Sequence, residues 1–315
     1  MKISSECNNY IGTLDDKYHL IEEKDYGATS KLFKVIDINS GETKAAKIFN
    51  EGNDDEFELE LDILESISEL PNVIRYLSSG EGYLITKETK EKYKRKYIIL
   101  EFAKGSLLKY RSSMTNISED TCKFIFHEII LAIKSLHEIG LSHRDIKLDN
   151  MLFVGDEYFL KLCDFGFSDI FLDENDNKIE LKDFVGSECH KAPEILSKKP
   201  YDGEKIDIFS AGVTLLSLVL GKFTFKNASE DDPLYSLIIS KNYEKFWNKI
   251  LGNKKLSDDF KDLYMKMVEY NPKERIDIDG ILNSKWLSDI RNANEEKLKE
   301  LKSKMINELK VAEKI

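Results

Sequence analysis

The chain has 315 residues, enough for one large domain or two lobes, and is 41% apolar and 33% charged. Its net charge of −11 excludes nucleic acid as the main partner, because phosphate binding needs a cationic footprint. The longest apolar run, Ala211–Gly221, is too short to cross a bilayer, and the four cysteines (Cys7, Cys122, Cys163, Cys189) lack CxxC spacing. A soluble protein with reduced thiols and no membrane partner is therefore expected, in the cytoplasm with the nucleus left open.

In chain order, MKISSE has no signal-peptide core and carries Lys at position 2, which excludes N-myristoylation. KYHLIEE, KLFKVIDI and TKAAKIF then read as strands separated by turns such as NSGE. DDEFELELDILESISEL reads as a helix with Leu61, Leu64 and Ile67 on one face and acidic residues near its start. Two more strands follow, ending in YIILEF, and the segment between them holds six basic residues within Lys87–Lys96. That run reads as a solvated hairpin tip, with a docking patch as the alternative. After AKGS the pattern becomes helical. SEDTCKFIFHEIILAIKSLHEIG opens on a capping Ser118, repeats Phe126, Ile129, Ile130 and Ile133, and stops at Gly140. EKIDIFSAGVTLLSLVLG is apolar nearly all round, as a helix buried on every side must be. The last segment, Asn292–Ile315, is a charged helix with Leu298, Leu301, Met305 and Leu309 on one stripe. The expected organisation is an extension over 1–16, a β-rich lobe with one main helix over 17–102, a hinge at 101–105, a helical lobe over 106–290 and a helix over 291–315.

The densest chemical signal is HRDIKLDN, His143–Asn150, followed fourteen residues later by DFG, Asp164–Gly166. Asp145 can accept a proton from a hydroxyl nucleophile. Lys147 can neutralise charge on a transferring phosphoryl group. Asn150 and Asp164 offer hard oxygens of the kind Mg²⁺ takes alongside phosphates. A lone DFG is weak, but two motifs at this spacing are specific.

On these motifs the chain resembles a eukaryotic protein kinase, over about residues 17–290. The resemblance implies an α+β, two-lobed kinase fold: a small antiparallel β-sheet lobe with one main helix, and a larger helical lobe. It implies ATP and Mg²⁺ as cofactors and a protein as substrate, with Asp145 as catalytic base, Asn150 and Asp164 as metal ligands and Lys147 on the γ-phosphate. Lys147 at this spacing and Ser187 in GSECHKAPE resemble the serine/threonine type. In KAAK, Lys47 is the expected grip on the α- and β-phosphates, with Glu60 thirteen residues on as its partner and Glu58 as competitor. Leu32, Ala45 and Leu152 would wall the adenine slot, with Leu100 as gatekeeper and the backbone at Glu101 and Ala103 reading the base. Glu194 should pair with Arg275, Asp207 should anchor the catalytic loop, and His143 should stack with Phe165 in a spine that also takes in Leu64 and Tyr76. Asp149 hints at basic residues before the target hydroxyl.

Three features depart from that pattern or extend it. The glycine loop reads DYGATSKL, so only Gly27 survives, which raises a binding scaffold without catalysis as the alternative function. A small-molecule phosphotransferase is disfavoured by the APE segment. Between Phe171 and Gly186 there is no Ser, Thr or Tyr, but five carboxylates and two lysines. Arg144 resembles the arginine that pairs with a phosphorylated residue on this loop, and Asp183 or Glu180 is expected to supply the negative charge instead. GATS, DFGFS and PYDGEKIDIFSAGV resemble the calcium/calmodulin-dependent and AMP-activated kinase group. The tail carries seven basic and five acidic residues from Arg291 on and no aromatic after Trp286, so calmodulin is a poor fit. Packing on the large lobe, a dimer contact or another regulatory partner remain the tail's options.

Overall fold

The computed structural model describes residues 10–313. Residues 1–9 of the expected extension, with Cys7, and residues 314–315 of the tail lie outside the described residues. The chain divides into two units, Met1–Lys104 and Gly105–Ile315.

In the first unit six strands close into an antiparallel barrel: β1 (Gly12–Leu14), β2 (Tyr18–Tyr26), β3 (Ser30–Asp37), β4 (Thr43–Phe49), β5 (Tyr76–Thr86) and β6 (Lys92–Glu101), in the order β1-β2-β3-β4-β6-β5. Period-two alternation sorts their side chains: Phe33, Val35, Ala46, Ile48, Tyr97 and Ile99 face one core with Leu14, Tyr18 and Leu20. The one helix, α1 (Asp54–Ile67), has three acidic residues in its first turn, where the helix dipole favours them. Its buried face is Phe57, Glu60, Ile63, Leu64 and Ile67, so Leu64 and Ile67 lie where expected, whereas Leu61 is only half-buried and Ile63 takes the core side. Part of the basic hairpin is neutralised, with Lys94 on Glu81 across the hairpin and Lys96 on Glu58 and Asp54 of α1.

Strand β7 (Ala103–Ser106) runs through the point of division. In the second unit, α2 (Leu107–Ser113) starts at Ser106, whose Oγ accepts from Lys109 N. Helix α3 (Glu119–His137) is capped by Ser118, which accepts from Thr121 N, and Gly140 then turns the chain at φ +76°. There follow β8 (Leu141–Ser142), a 3-10 turn (Leu148–Asn150), the hairpin β9 (Met151–Val154) and β10 (Phe159–Leu162), β11 (Asp169–Ile170), a second 3-10 turn (Glu188–His190) and α4 (Pro193–Leu196). Helix α5 (Gly203–Leu220) is capped by Asp202, ends at left-handed Gly221, and is buried along nearly its whole length. The unit closes with α6 (Tyr235–Ile239), α7 (Tyr243–Leu251), α8 (Asp258–Met267), α9 (Ile278–Leu282), α10 (Ser288–Arg291) and α11 (Glu295–Ala312).

Helix α11 lies on α3 and α2, with Leu301, Met305, Leu309 and Ala312 buried. The apolar stripe that a calmodulin-type partner would grip is thus covered by the chain itself. No helix among the described residues is long and apolar enough to cross a membrane.

Candidate active site

In the first unit, helical periodicity decides which carboxylate Lys47 meets. Glu60 shares a face with Phe57, Leu64 and Ile67 and is buried, whereas Glu58, two residues away, points elsewhere. Lys47 Nζ lies 2.6 Å from both Glu60 oxygens. Glu58 pairs with Lys96 Nζ at 2.6 Å instead. Leu32 stands opposite Lys47 across β3 and β4, and Ala45 opposite Leu100 across β4 and β6. All four are half-buried, on the side of the strands away from the barrel core. Glu101 is tied to Arg75 twice: its N–H donates to the Arg75 carbonyl and its Oε1 accepts from Arg75 N at 2.7 Å. Ala103, also half-buried, opens β7. In the β2–β3 turn Gly27 N donates to Ser30 O. A Cβ there would meet only that oxygen, at 3.7 Å, so the surviving glycine is not sterically required.

In the second unit the catalytic loop hangs on one carboxylate. Fully buried Asp207 accepts from the backbone N–H of His143 at 2.9 Å and of Arg144 at 2.8 Å, and from Ser142 Oγ. His137 Nε2 lies 2.9 Å from the same Oδ2. Burial opposes ionisation of Asp207, but His137 and these donors outweigh it and hold its carboxyl below the usual range. That grip sustains Arg144 in the left-handed region, φ +63°, which a non-glycine residue adopts only when its surroundings over-determine it. His143 in turn meets Phe165 edge-on at 5.1 Å.

Asp145 projects from this loop with three donors around it. Lys147 Nζ is at 2.6 Å, Ser187 N at 2.8 Å and Asn150 Nδ2 at 3.3 Å. Burial would raise its pKa, yet the hydrogen bond and charge of Lys147 prevail and lower it, while Asp145 raises that of Lys147 against the same burial. Asp145 is therefore a carboxylate at neutral pH. Lys147 Nζ also donates to Ser187 Oγ at 3.0 Å. Asp149 is exposed on the 3-10 turn beside it.

Asn150 and Asp164 stand at the two ends of the β9–β10 hairpin. Cys163 N donates to Asn150 O at 2.9 Å, which closes the hairpin base one residue before Asp164. Asn150 spends its amide nitrogen on Asp145 O and Oδ2, and its Oδ1 takes no part in those bonds. Asp164 is exposed, at φ +65°. Two oxygen ligands of one carboxamide and one carboxylate suit Mg²⁺, which keeps much of its water and takes one or two protein groups beside phosphate. Leu152, half-buried, is the second residue of β9.

The acidic loop has a defined course. Arg144 Nη1 lies 3.0 Å from Asp183 Oδ2 and 3.3 Å from Asp169 Oδ2, and its Nε donates to the Phe167 carbonyl. Tyr201 Oη donates to Asp183 O at 2.8 Å, and Leu181 and Tyr201 form a β-bridge. Lys178 pairs with Glu204 and Asp202 on α5's first turn. Glu180 is exposed, and the second carboxylate on Arg144 is Asp169 rather than Glu180, because Asp169 sits on β11 beside the loop's root. Glu194 and Arg275 form a buried bidentate pair, at 2.7 and 3.0 Å.

A model of the protein kinase domain matches residues 18–287. The chain belongs to the protein kinase family. Among its relatives are serine/threonine-protein kinase SAPK9 of Oryza sativa subsp. japonica, 31% identical over 281 residues, 86% of this chain and 72% of that one. Serine/threonine-protein kinase SRK2C of Arabidopsis thaliana is 30% identical, covering 86% and 75%. CBL-interacting protein kinase 26 of Oryza sativa subsp. japonica is 30% identical over 87% of this chain, which spans about half (52%) of its length. The kinase is of the serine/threonine type, with the β-sheet N-lobe and helical C-lobe of its family, and these relatives favour catalysis over an inert scaffold.

Several residues of the kinase site escaped sequence reasoning. Asp169 and Tyr201 reach Arg144 only through the fold, and a β-strand aspartate gives no local sign of it. Gly186 had a legible signal, the glycine before Ser187. It stands at φ +92°, and a Cβ there would lie 2.6 Å from Arg144 O.

Proposed function

We propose that this kinase transfers the γ-phosphoryl group of ATP to a protein hydroxyl with Asp145 as general base. The observation that carries the reading is the placement of Asp145, buried with Lys147 Nζ at 2.6 Å and Ser187 N at 2.8 Å, a pairing that favours its carboxylate form. An ionised carboxylate can take the proton of a serine or threonine hydroxyl as the hydroxyl oxygen bonds to the γ-phosphorus and the bond from that phosphorus to the bridging oxygen breaks, releasing ADP. Lys147 then offers positive charge to the transferring group, and Ser187, bonded to both Asp145 and Lys147, holds the substrate segment's floor in register. Mg²⁺, held by Asn150 Oδ1 and Asp164, would neutralise phosphate charge. Lys47, fixed by Glu60, would bind the α- and β-phosphates. Leu32, Ala45, Leu100 and Leu152 would contact adenine, with the backbone of Glu101 and Ala103 bonding its edge. Asp149, exposed beside the base, favours a basic residue ahead of the target.

The reading extends to control. With Arg144 engaged by Asp183 and Asp169, the loop is ordered by fixed charges, and catalysis needs no phosphorylation there. The test of the whole is transfer from Mg-ATP to a basic peptide library. Asp145→Asn should lower kcat about 10²–10⁴-fold with nucleotide binding retained. Equal rates for wild type and Asp145→Asn would refute the role of Asp145.

A further inference from the structure

The C-terminal helix lies beyond the matched kinase domain, yet its side chains reach the element that carries both Mg²⁺ ligands. Asn150 immediately precedes β9 and Asp164 follows β10 by two residues, with the Cys163 N–H bond to Asn150 O closing the base between them, so their separation depends on that hairpin. Its arms are four residues each, so its tip stands about 13 Å from its base. At the tip is Tyr158, in the left-handed region at φ +52° and 1% exposed. Tyr158 packs edge-on against Phe153 of β9 and Tyr110 of α2, at 6.0 Å each, and Tyr110 meets Phe153 at 5.3 Å. Helix α2 itself lies against β9 and the 3-10 turn of Asn150.

Both tyrosines meet one residue of the tail. Glu313 Oε1 accepts from Tyr110 Oη at 2.6 Å, and the same carboxylate sits beside the Tyr158 hydroxyl and favours its protonated form. A second tail residue takes the other side of the tip: Lys302 Nζ lies 2.8 Å from Glu157 and 3.9 Å from the centre of the Phe159 ring. The helix that bears these two residues is anchored independently of them. Its buried stripe seats it on α3, Lys304 pairs with Asp120, and Glu308 accepts from the N–H of Ser118, the cap of α3. It is a fixed post from which Glu313 and Lys302 both reach the hairpin tip.

We propose that Glu313 and Lys302 are positioning residues for the Mg²⁺-nucleotide site, bracing the hairpin tip so that Asn150 and Asp164 keep their separation at its base. The proposal rests on the metal-ligand roles given to Asn150 and Asp164 above. The hairpin belongs to a small three-stranded sheet in the order β10-β9-β7, whose four-residue strands leave its geometry dependent on what packs against it. A carboxylate that accepts from one tyrosine hydroxyl and sits beside a second is a charge-assisted, directional grip. Burial, with Glu313 beside it, pushes the Tyr158 hydroxyl up to about 12, so the donor keeps its proton at any physiological pH.

The test uses the whole chain, with Mg²⁺-dependent binding of a fluorescent ATP analogue, amide hydrogen exchange over residues 151–162, and kinetics. Glu313→Ala should weaken Mg²⁺-dependent nucleotide binding on the order of tenfold and speed exchange in the hairpin. The melting temperature should hardly move, because the helix keeps its stripe. Glu313→Gln, whose amide oxygen still accepts from Tyr110 Oη, should restore binding. Tyr158→Phe should reproduce part of the loss, and combining it with Glu313→Ala should add nothing further. Unchanged binding and exchange in Glu313→Ala, or a Glu313→Gln as weak as Glu313→Ala, overturns the brace while leaving the Mg²⁺ roles standing. Wild-type binding indifferent to Mg²⁺ and to Asp164→Asn overturns those roles and the brace together.

Discussion

Arg144 is held twice, by two very different sets of carboxylates. Its backbone N–H bonds Asp207, whose side chain has no exposure, within a network that also takes His143, Ser142 and His137. Its guanidinium bonds Asp183 and Asp169, whose side chains are 63% and 43% exposed. The first set is closed to water and has every oxygen occupied, which is how a buried charge persists. The second is open to solvent, so its attraction is diluted and screened. One holds the loop as part of the fold. The other holds it as an adjustable contact.

The largest test of this contrast removes the inner set. Asp207→Ala strips two backbone N–H groups and a histidine of their acceptor, and should cost about 3–5 kcal/mol of stability in denaturant unfolding. A loss below about 1 kcal/mol would place Asp207 with the solvent-diluted pairs. The pH limb comes next, and His190 has to be separated from it. Burial, with no partner for Nε2, lowers the His190 pKa from 6.5 to about 4. The unfolded chain therefore binds a proton that the folded chain refuses, and stability falls as pH drops from about 6.5 toward 4, by about 3 kcal/mol. His190→Phe should flatten that stretch in urea titrations. The remaining acid loss belongs to carboxylates such as Asp207, whose lowered pKa keeps its contribution intact above the usual carboxylate range and loses it only as pH falls through the folded value.

The outer set should give the smallest stability effect and a visible kinetic one. Asp183→Ala should change unfolding free energy by about 1 kcal/mol or less and lower kcat/KM about three- to tenfold, with Asp169 retaining part of the grip. If the variant is fully active, or if wild type needs an upstream kinase at this loop, the fixed-charge account fails.

How far the sequence reached depends on distance along the chain. Lys47 and Glu60 were legible because a strand lysine and a helix carboxylate thirteen residues apart leave few geometries, and the helical period then separates Glu60 from Glu58. Strands β2 to β6 and the cap at Ser118 were legible from period and cap chemistry, whereas β1 falls in the stretch read as an extension. On α1, Leu64 and Ile67 were read correctly and Leu61 was not, since Leu61 is as apolar as Ile63 and only packing selects between them. Helix α2 escaped because its seven residues are too few for a periodic signal, although Ser106 was a fair cap. Asp169, Tyr201 and Glu313 escaped for a different reason: their partners lie 25, 57 and 203 residues away, and nothing local marks them.

The loop without a hydroxyl has one last consequence, and it concerns time. A phosphate is written and erased, so a loop that depends on it carries a memory of the enzymes that acted on it. A carboxylate at Asp183 is present from translation, and no phosphatase can strip it. On the proposed fixed-charge reading, the loop keeps no such record.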